Sequence, residues 1–209
     1  MIAIQNLSFA SMIENTNVSF QLGLNYIYGK NGSGKSTFLD CLSGIIHNYS
    51  GTITGNDDLV YMNQNLYFSM KLKVKDYVQF VLTLDRVKHT YNDYFAYIES
   101  ISLKTFLDEA WNSEVSMLSG GERRKLFFVT TCYLDREWYV FDEPFAGVDD
   151  EGKQLLTTIL ERLVASKKGV LFTSHERIPF ENMDATMYTL ENKQIYTPFE
   201  QKQTATSNH

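Results

Sequence analysis

Gly29-Lys30-Asn31-Gly32-Ser33-Gly34-Lys35-Ser36 fits the spacing GxxxxGK[ST]. The five residues before it, Leu-Asn-Tyr-Ile-Tyr at 24–28, read as a strand. Beyond it Phe38, Leu39, Leu42, Ile45 and Ile46 recur at helical spacing. Strand, glycine-rich turn and helix in that order make a cradle for an anion. Gly29, Gly32 and Gly34 allow backbone conformations that a side chain blocks, so several N–H groups can converge on one phosphate. Lys35 adds a positive charge near the terminal phosphates, and the Ser36 hydroxyl can ligate Mg²⁺. The helix turns its positive end to the same anion.

Outward from this loop the chain alternates between strand-like and helix-like patterns. Upstream, Ile2, Ile4, Leu7 and Phe9 form a short apolar run. Val18, Phe20 and Leu22 alternate with Ser19 and Gln21, as in a half-buried strand. Downstream, residues 52–54 and 59–62 read as short strands. From about 66 to 133 the character is helical: Val74, Tyr77, Val78, Val81 and Leu82 share one face, and Tyr94, Tyr97, Ile98 and Ile101 another. Trp138-Tyr139-Val140-Phe141 and Gly169-Val170-Leu171-Phe172-Thr173 are the continuous apolar runs of buried parallel strands. A crossover helix is expected between them at 155–164. Strands at 185–190 and 194–196 flank a Glu191-Asn192-Lys193 turn, and 201–209 is a polar tail.

Composition bounds what such a chain can be. With 209 residues, 44% hydrophobic and 21% charged, it can bury a core, which excludes a wholly disordered protein. The net charge of −6 argues against a protein that grips nucleic acid through its phosphates. Cys41 and Cys132 lie far apart without metal or redox spacing; both read as small buried hydrophobes in a reducing cytosol. The start, Met1-Ile2-Ala3-Ile4-Gln5, has no basic region before an apolar run, so no leader is expected. No apolar stretch is long enough to span a membrane.

Two further motifs carry chemistry. The apolar run at 138–141 ends in Asp142-Glu143-Pro144. An aspartate at a strand tip can reach Mg²⁺ beside the phosphates. The adjacent Glu143 can orient and polarise a water for attack on the terminal phosphate. Leu118-Ser119-Gly120-Gly121-Glu122 opens an expected helix over 122–129, a second anion-binding helix N-terminus. One nucleotide does not need two such cradles from one chain. The redundancy suggests a composite site, with one cradle from each of two subunits.

With Thr173-Ser174-His175-Glu176, these motifs resemble the nucleotide-binding domain of the ABC (ATP-binding cassette) ATPases, over roughly residues 2–196. The resemblance implies an α/β fold with a P-loop NTPase core of the ABC type. An N-terminal antiparallel β-subdomain and an α-helical subdomain inserted at about 66–130 complete one domain over 1–200. It implies ATP and Mg²⁺ as cofactors, with ATP held by Gly29, Asn31, Gly32, Ser33, Gly34, Lys35, Ser36 and Thr37 of one chain and by Ser119, Gly120 and Gly121 of the other. Ser36, Gln64 and Asp142 then face the metal, and Glu143, His175 and Gln64 serve catalysis. Gln64, in Tyr61-Met62-Asn63-Gln64, touches Mg²⁺ or the attacking water in this family and links core to helical subdomain. His175 contacts the terminal phosphate, and Asp149, in Ala146-Gly147-Val148-Asp149, lies at the dimer interface. His47, His89 and His209 match no motif. Two departures stand out. The aromatic that stacks on adenine in most such domains is absent near Ser11, in Phe9-Ala10-Ser11-Met12, so that adenine stacking is lost, is replaced by an apolar contact or is supplied by Phe9. Glu122 stands where glutamine is more frequent.

The implied role is the ATPase subunit of a bacterial ABC transporter. It would form a homodimer or heterodimer and power a separate transmembrane permease, with export favoured. It would sit in the cytoplasm on the inner face of the cell membrane, held there by the permease. Tyr67, Phe68, Tyr77 and Phe80 are candidates to line the cleft that receives a permease helix, or else belong to the core. The alternative is a soluble ABC ATPase without a membrane partner, such as an assembly or repair ATPase. The long coiled coils or zinc hooks of the repair type and the tandem cassettes of translation factors are both missing from this sequence.

Overall fold

The computed structural model of the chain describes residues 1–64, 69–85, 90–175 and 184–197. The elements in chain order are β1 (Ile2–Phe9), β2 (Ile13–Phe20), β3 (Gly23–Tyr28), α1 (Lys35–Leu42), β4 (Ser50–Thr54) and β5 (Leu59–Met62). Then come α2 (Val74–Thr83), α3 (Tyr91–Ser100), α4 (Lys104–Ala110), a 3₁₀ turn (Val115–Met117) and α5 (Gly120–Tyr133). β6 (Trp138–Phe141), α6 (Asp150–Ala165), β7 (Gly169–Ser174), β8 (Ala185–Glu191) and β9 (Gln194–Tyr196) complete the described elements. The fold is mixed α/β, and the chain divides into two compact units.

The first unit comprises Met1–Gln64, Arg136–Pro144 and the chain from Leu163 onward. It holds both sheets. One is an antiparallel sheet of three strands in the order β2-β1-β4. The other has six strands in the order β5-β6-β7-β3-β8-β9, parallel except at the β8–β9 edge. Every residue of β6 and β7 is buried, as their unbroken apolar sequences require of central parallel strands. Ile2, Leu7 and Phe20 of the antiparallel sheet join Phe38 and Leu39 of α1 and Ile27, Trp138 and Leu171 of the parallel sheet in one core. Trp138 pairs with Gly169 across β6 and β7, and a Cβ on Gly169 would collide with the indole ring. Glycine begins β7 because the tryptophan takes its space.

The parallel register decides where chemistry can happen. Met62 is level with Phe141, Phe141 with Phe172, and Ser174 with Tyr28. The loops after β5, β6, β7 and β3 therefore leave the sheet at one edge. In open α/β sheets that carboxyl edge is where ligands bind.

Two local expectations differ from the structure. α1 stops at Leu42, so Ile45 and Ile46 lie outside it, Ile45 exposed. The stop is a Schellman motif: Gly44 takes φ +74°, its N–H bonds the Cys41 carbonyl, and the Ile45 N–H bonds the Asp40 carbonyl. In β2 the fully buried residues are Ile13, Thr16 and Phe20, while Leu22 lies beyond the strand and is exposed. Register shifts in the β1–β2 pairing, between Ile4 and Leu7 and between Leu7 and Phe9, break the simple alternation.

The second unit, Asn65–Asp135 with Phe145–Arg162, is helical in its described residues. Its core lies between α2, α3 and α5. Tyr77 meets Phe127 edge-on with centroids 4.5 Å apart, and Tyr94 meets Tyr133 at 5.2 Å. The Thr130 hydroxyl donates to the Leu126 carbonyl, so the Tyr94 hydroxyl donates to Thr130 Oγ1 at 2.8 Å. Tyr77 is thus a core residue, not a cleft residue, whereas Phe80 is exposed. Tyr67 and Phe68 lie outside the described residues. Cys41 and Cys132 are both free and buried.

Candidate functional site

The glycine-rich loop leaves β3 and enters α1 through Gly34 at φ +102°. No side chain caps this helix. Its first N–H groups have no intrahelical acceptor and remain available to an anion. A side chain on Gly34 would be strained by that φ and would press on the Met12 carbonyl at 3.1 Å. The β1–β2 turn thus lies against the loop. Ser11 sits in the same turn, exposed, and neither Ser11 nor Met12 is aromatic. Asn31 and Gly32 are exposed, Ser36 and Thr37 half-buried. Lys35 is buried, and its Nζ donates to the carbonyls of Gly29 at 2.8 Å and Lys30 at 3.2 Å.

Four strand tips bring the charged residues together. Lys35 Nζ lies 3.3 Å from Glu143 Oε1 in a buried ion pair. The other oxygen, Oε2, accepts from Gln64 Nε2 at 3.2 Å and lies 3.2 Å from His175 Nδ1. A carboxylate only accepts, so this last contact calls for a proton on Nδ1. Glu143 itself has φ +49°, a left-handed conformation that is uncommon for a glutamate. Its neighbour Asp142 is 1% exposed and bonds backbone to backbone with Met62. Asp142 Oδ1 accepts from the Thr173 hydroxyl at 2.5 Å. Two buried side-chain oxygens in this region, Asp142 Oδ2 and Ser33 Oγ, have no hydrogen-bond partner among the described residues. Orphaned buried oxygens beside an uncapped helix end suit a phosphate and a cation.

A second cluster braces the end of β5 and the residues that lead to Gln64. Tyr61 Oη donates to Asp40 Oδ1 at 3.1 Å, and Asn63 Nδ2 donates to the same oxygen at 3.2 Å. Desolvation by burial raises the Asp40 pKa, and the charge of Asp142 adds to the rise; hydrogen bonds from Tyr61 and Asn63 oppose it. Burial likewise pushes the Tyr61 phenol upward. The spacing of Tyr61, Asn63 and Asp40 in sequence gave no sign of this cluster.

The remaining motif residues belong to the second unit. Ser119 caps α5: its Oγ accepts from the Glu122 N–H at 3.2 Å, and the Glu122 carboxylate accepts from the Ser119 N–H at 2.7 Å. This capping box explains an acid three residues after the serine. Gly120 and Gly121 follow with their N–H groups outside the box. A Cβ on Gly120 would meet nothing within 4 Å. Asp149 accepts from the Gly152 N–H at 2.9 Å at the start of α6 and lies 3.9 Å from Lys125 Nζ, with two thirds of its side chain exposed. The structure therefore brings Lys35, Ser36, Gln64, Asp142, Glu143 and His175 to one sheet edge, while Ser119, Gly120, Gly121 and Asp149 lie in the helical unit.

The family model described as "ABC transporter" matches residues 13–146, more than half of the chain. The chain belongs to the ABC transporter family. As an ABC protein it is an ATP-binding subunit and an ATPase. It is 27% identical to the cytochrome c biogenesis ATP-binding export protein CcmA of Reclinomonas americana, over 89% of this chain and 88% of that protein. It is 26% identical to the putative ABC transporter ATP-binding protein AlbC of Bacillus subtilis, over 88% and 83% respectively. Among solved structures, one titled as the ATP-binding subunit of an ABC transporter superposes with a TM-score of 0.82 at 17% identity, over all of this chain and 95% of the other. That last likeness supports the ABC fold. No helix among the described residues is long and apolar enough to cross a membrane.

Proposed function

We propose that this chain hydrolyses ATP as one half of a dimer that drives a separate transmembrane permease, in the direction of export. The observation that carries the reading is the convergence of Lys35, Gln64, Glu143 and His175 on one edge of the parallel sheet. The loop at 29–37 takes the phosphates through its backbone N–H groups. Lys35, now paired with Glu143, turns to the terminal phosphate. Glu143 then keeps Gln64 and His175 as partners and accepts a proton from the attacking water. The water oxygen bonds to the terminal phosphorus, the bond to the bridging oxygen breaks, and ADP and phosphate leave. Mg²⁺, when bound, neutralises phosphate charge; Ser36, Gln64 and the free oxygen of Asp142 would hold it. Among the described residues no cluster of three acidic, histidine or cysteine ligands forms a cage. An ion that binds through few protein ligands, substrate phosphates and water fits such a site.

The composite site rests on the second cradle. Ser119, Gly120 and Gly121 would close over the nucleotide of the other subunit, with Asp149 beside them. The helical insertion at about 66–130 would be the part that meets the permease and holds the protein on the inner face of the membrane. Export follows the CcmA relative, whose name includes it. Glu143→Gln tests the core of this reading. Hydrolysis should fall by ~10²–10⁴-fold, the usual scale for loss of a general base. ATP should still bind, and light scattering should show an ATP-dependent dimer that Ser119→Arg abolishes. Near wild-type hydrolysis would refute Glu143 as the base. A variant that binds ATP yet stays monomeric, with and without a permease, would refute the composite site.

A further inference from the structure

We infer that Thr173 is a positioning residue, which sets both acidic groups of the site through one hydroxyl. Thr173 is wholly buried near the end of β7. Its Oγ1 accepts from the Glu143 N–H at 3.0 Å and donates to Asp142 Oδ1 at 2.5 Å. One side chain on the neighbouring strand thus bonds two successive residues of the loop after β6. Each bond answers a specific problem.

The first problem is the backbone of Glu143. Its φ of +49° is a conformation that glutamate rarely adopts unless its surroundings impose it. Fixing the N–H of that residue from the next strand imposes it. The conformation in turn aims the carboxylate at Lys35, Gln64 and His175. The second problem is the choice between the two oxygens of Asp142. With Oδ1 bonded to Thr173, Oδ2 is the oxygen left buried without a hydrogen-bond partner among the described residues. Thr173 thereby decides which oxygen of Asp142 faces a cation. A valine would fill the same volume and do neither. A wholly buried hydroxyl directly after Gly169, Val170, Leu171 and Phe172 has this reason to be there.

The inference rests on the reading of Glu143 as the base, and the test separates the two. Thr173→Val, Thr173→Cys and Thr173→Ser are compared with Glu143→Gln. Turnover, ATP affinity in EDTA and the Mg²⁺ concentration for half-maximal turnover are measured for each. Thr173→Val should lose turnover by ~10–100-fold and need more Mg²⁺, as removing a group that orients metal ligands does. Its ATP affinity in EDTA should be unchanged, because Lys35 and the loop are intact. Thr173→Ser should restore both turnover and Mg²⁺ dependence. Thr173→Cys, with a weaker donor, should fall between them and serves as the deciding variant if valine prevents folding. Wild-type turnover in the valine or cysteine variant overturns the inference, as does a serine variant as poor as valine. Parallel loss of ATP affinity in EDTA overturns it too, since that marks general damage. If Glu143→Gln keeps its turnover, the base assignment is what has failed. If Glu143→Gln is inactive and Thr173→Val is not, only the positioning role has failed.

Discussion

At the scale of single residues, one buried ion pair joins the glycine-rich loop to the acidic strand tip. Lys35 and Glu143 are both buried and lie 3.3 Å apart. Lys35→Ala therefore has two consequences. ATP binding should weaken by about 1.5–3 kcal/mol, the worth of a charge-assisted bond to phosphate. Calorimetry with Mg²⁺ measures it, and unchanged affinity would remove Lys35 from the site. The protein without nucleotide should also lose stability by about 3 kcal/mol, because a buried carboxylate loses a buried cationic partner. Urea midpoints report that loss. The roles at this scale divide by what a sequence can show. Lys35 and Glu143 stand in short motifs whose chemistry is local, so they could be read from the residues, whereas only the family resemblance singles out His175. Thr173, Asp40, Tyr61 and Asn63 act through partners brought beside them by strand register or by the packing of α1, and no spacing announces them.

At the scale of elements, apolar runs foretold strands better than periodicity foretold helix ends. β6 and β7 could be read because a fully buried strand is apolar throughout. α1 ended early because Gly44 accepts a left-handed turn, and that outweighs two further apolar residues in phase. The α5 start shows a second kind of signal, since Ser119 and Glu122 form the capping box their spacing allows. The Ser119 backbone N–H holds the Glu122 carboxyl below the usual carboxylate range. A depressed acid stabilises the fold above its unfolded pKa, near 4.5, and loses that contribution as pH falls through the folded value. Glu122→Gln keeps the box but has no charge to titrate. Its urea midpoint should thus change less between pH 5 and pH 3 than the wild-type midpoint, on the order of a few tenths of a kcal/mol for such an exposed group. Equal slopes would mean that Glu122 is not held by Ser119 in solution. Ser119→Ala, which breaks the box, should cost about 1 kcal/mol at neutral pH.

At the scale of the whole molecule, the two helices that open on glycine-containing motifs begin in different ways. α1 begins at a glycine and leaves its N–H groups open, while α5 begins at a serine whose side chain already caps it. The glycines also differ in kind. Gly32 and Gly34 need positive φ within their own chain. Gly120 does not: its φ is not left-handed, and a Cβ there meets open space. Nothing among the described residues explains why that position lacks a side chain. A second subunit's nucleotide pressed against it would. Gly120→Ala turns this into a measurement. In the monomer the change should be neutral or stabilising by about 0.4–1 kcal/mol, as Gly→Ala is wherever the backbone conformation suits alanine. In the ATP-bound dimer the added methyl should intrude on the phosphates. Combined with Glu143→Gln, Gly120→Ala should raise or preserve the urea midpoint and yet weaken ATP-driven dimerisation in light scattering. Alone, it should lower turnover without lowering the ATP affinity of the monomer. If the dimer forms as readily with alanine as with glycine, the space beside Gly120 is not occupied by a partner's nucleotide, and the second cradle loses its role in the site.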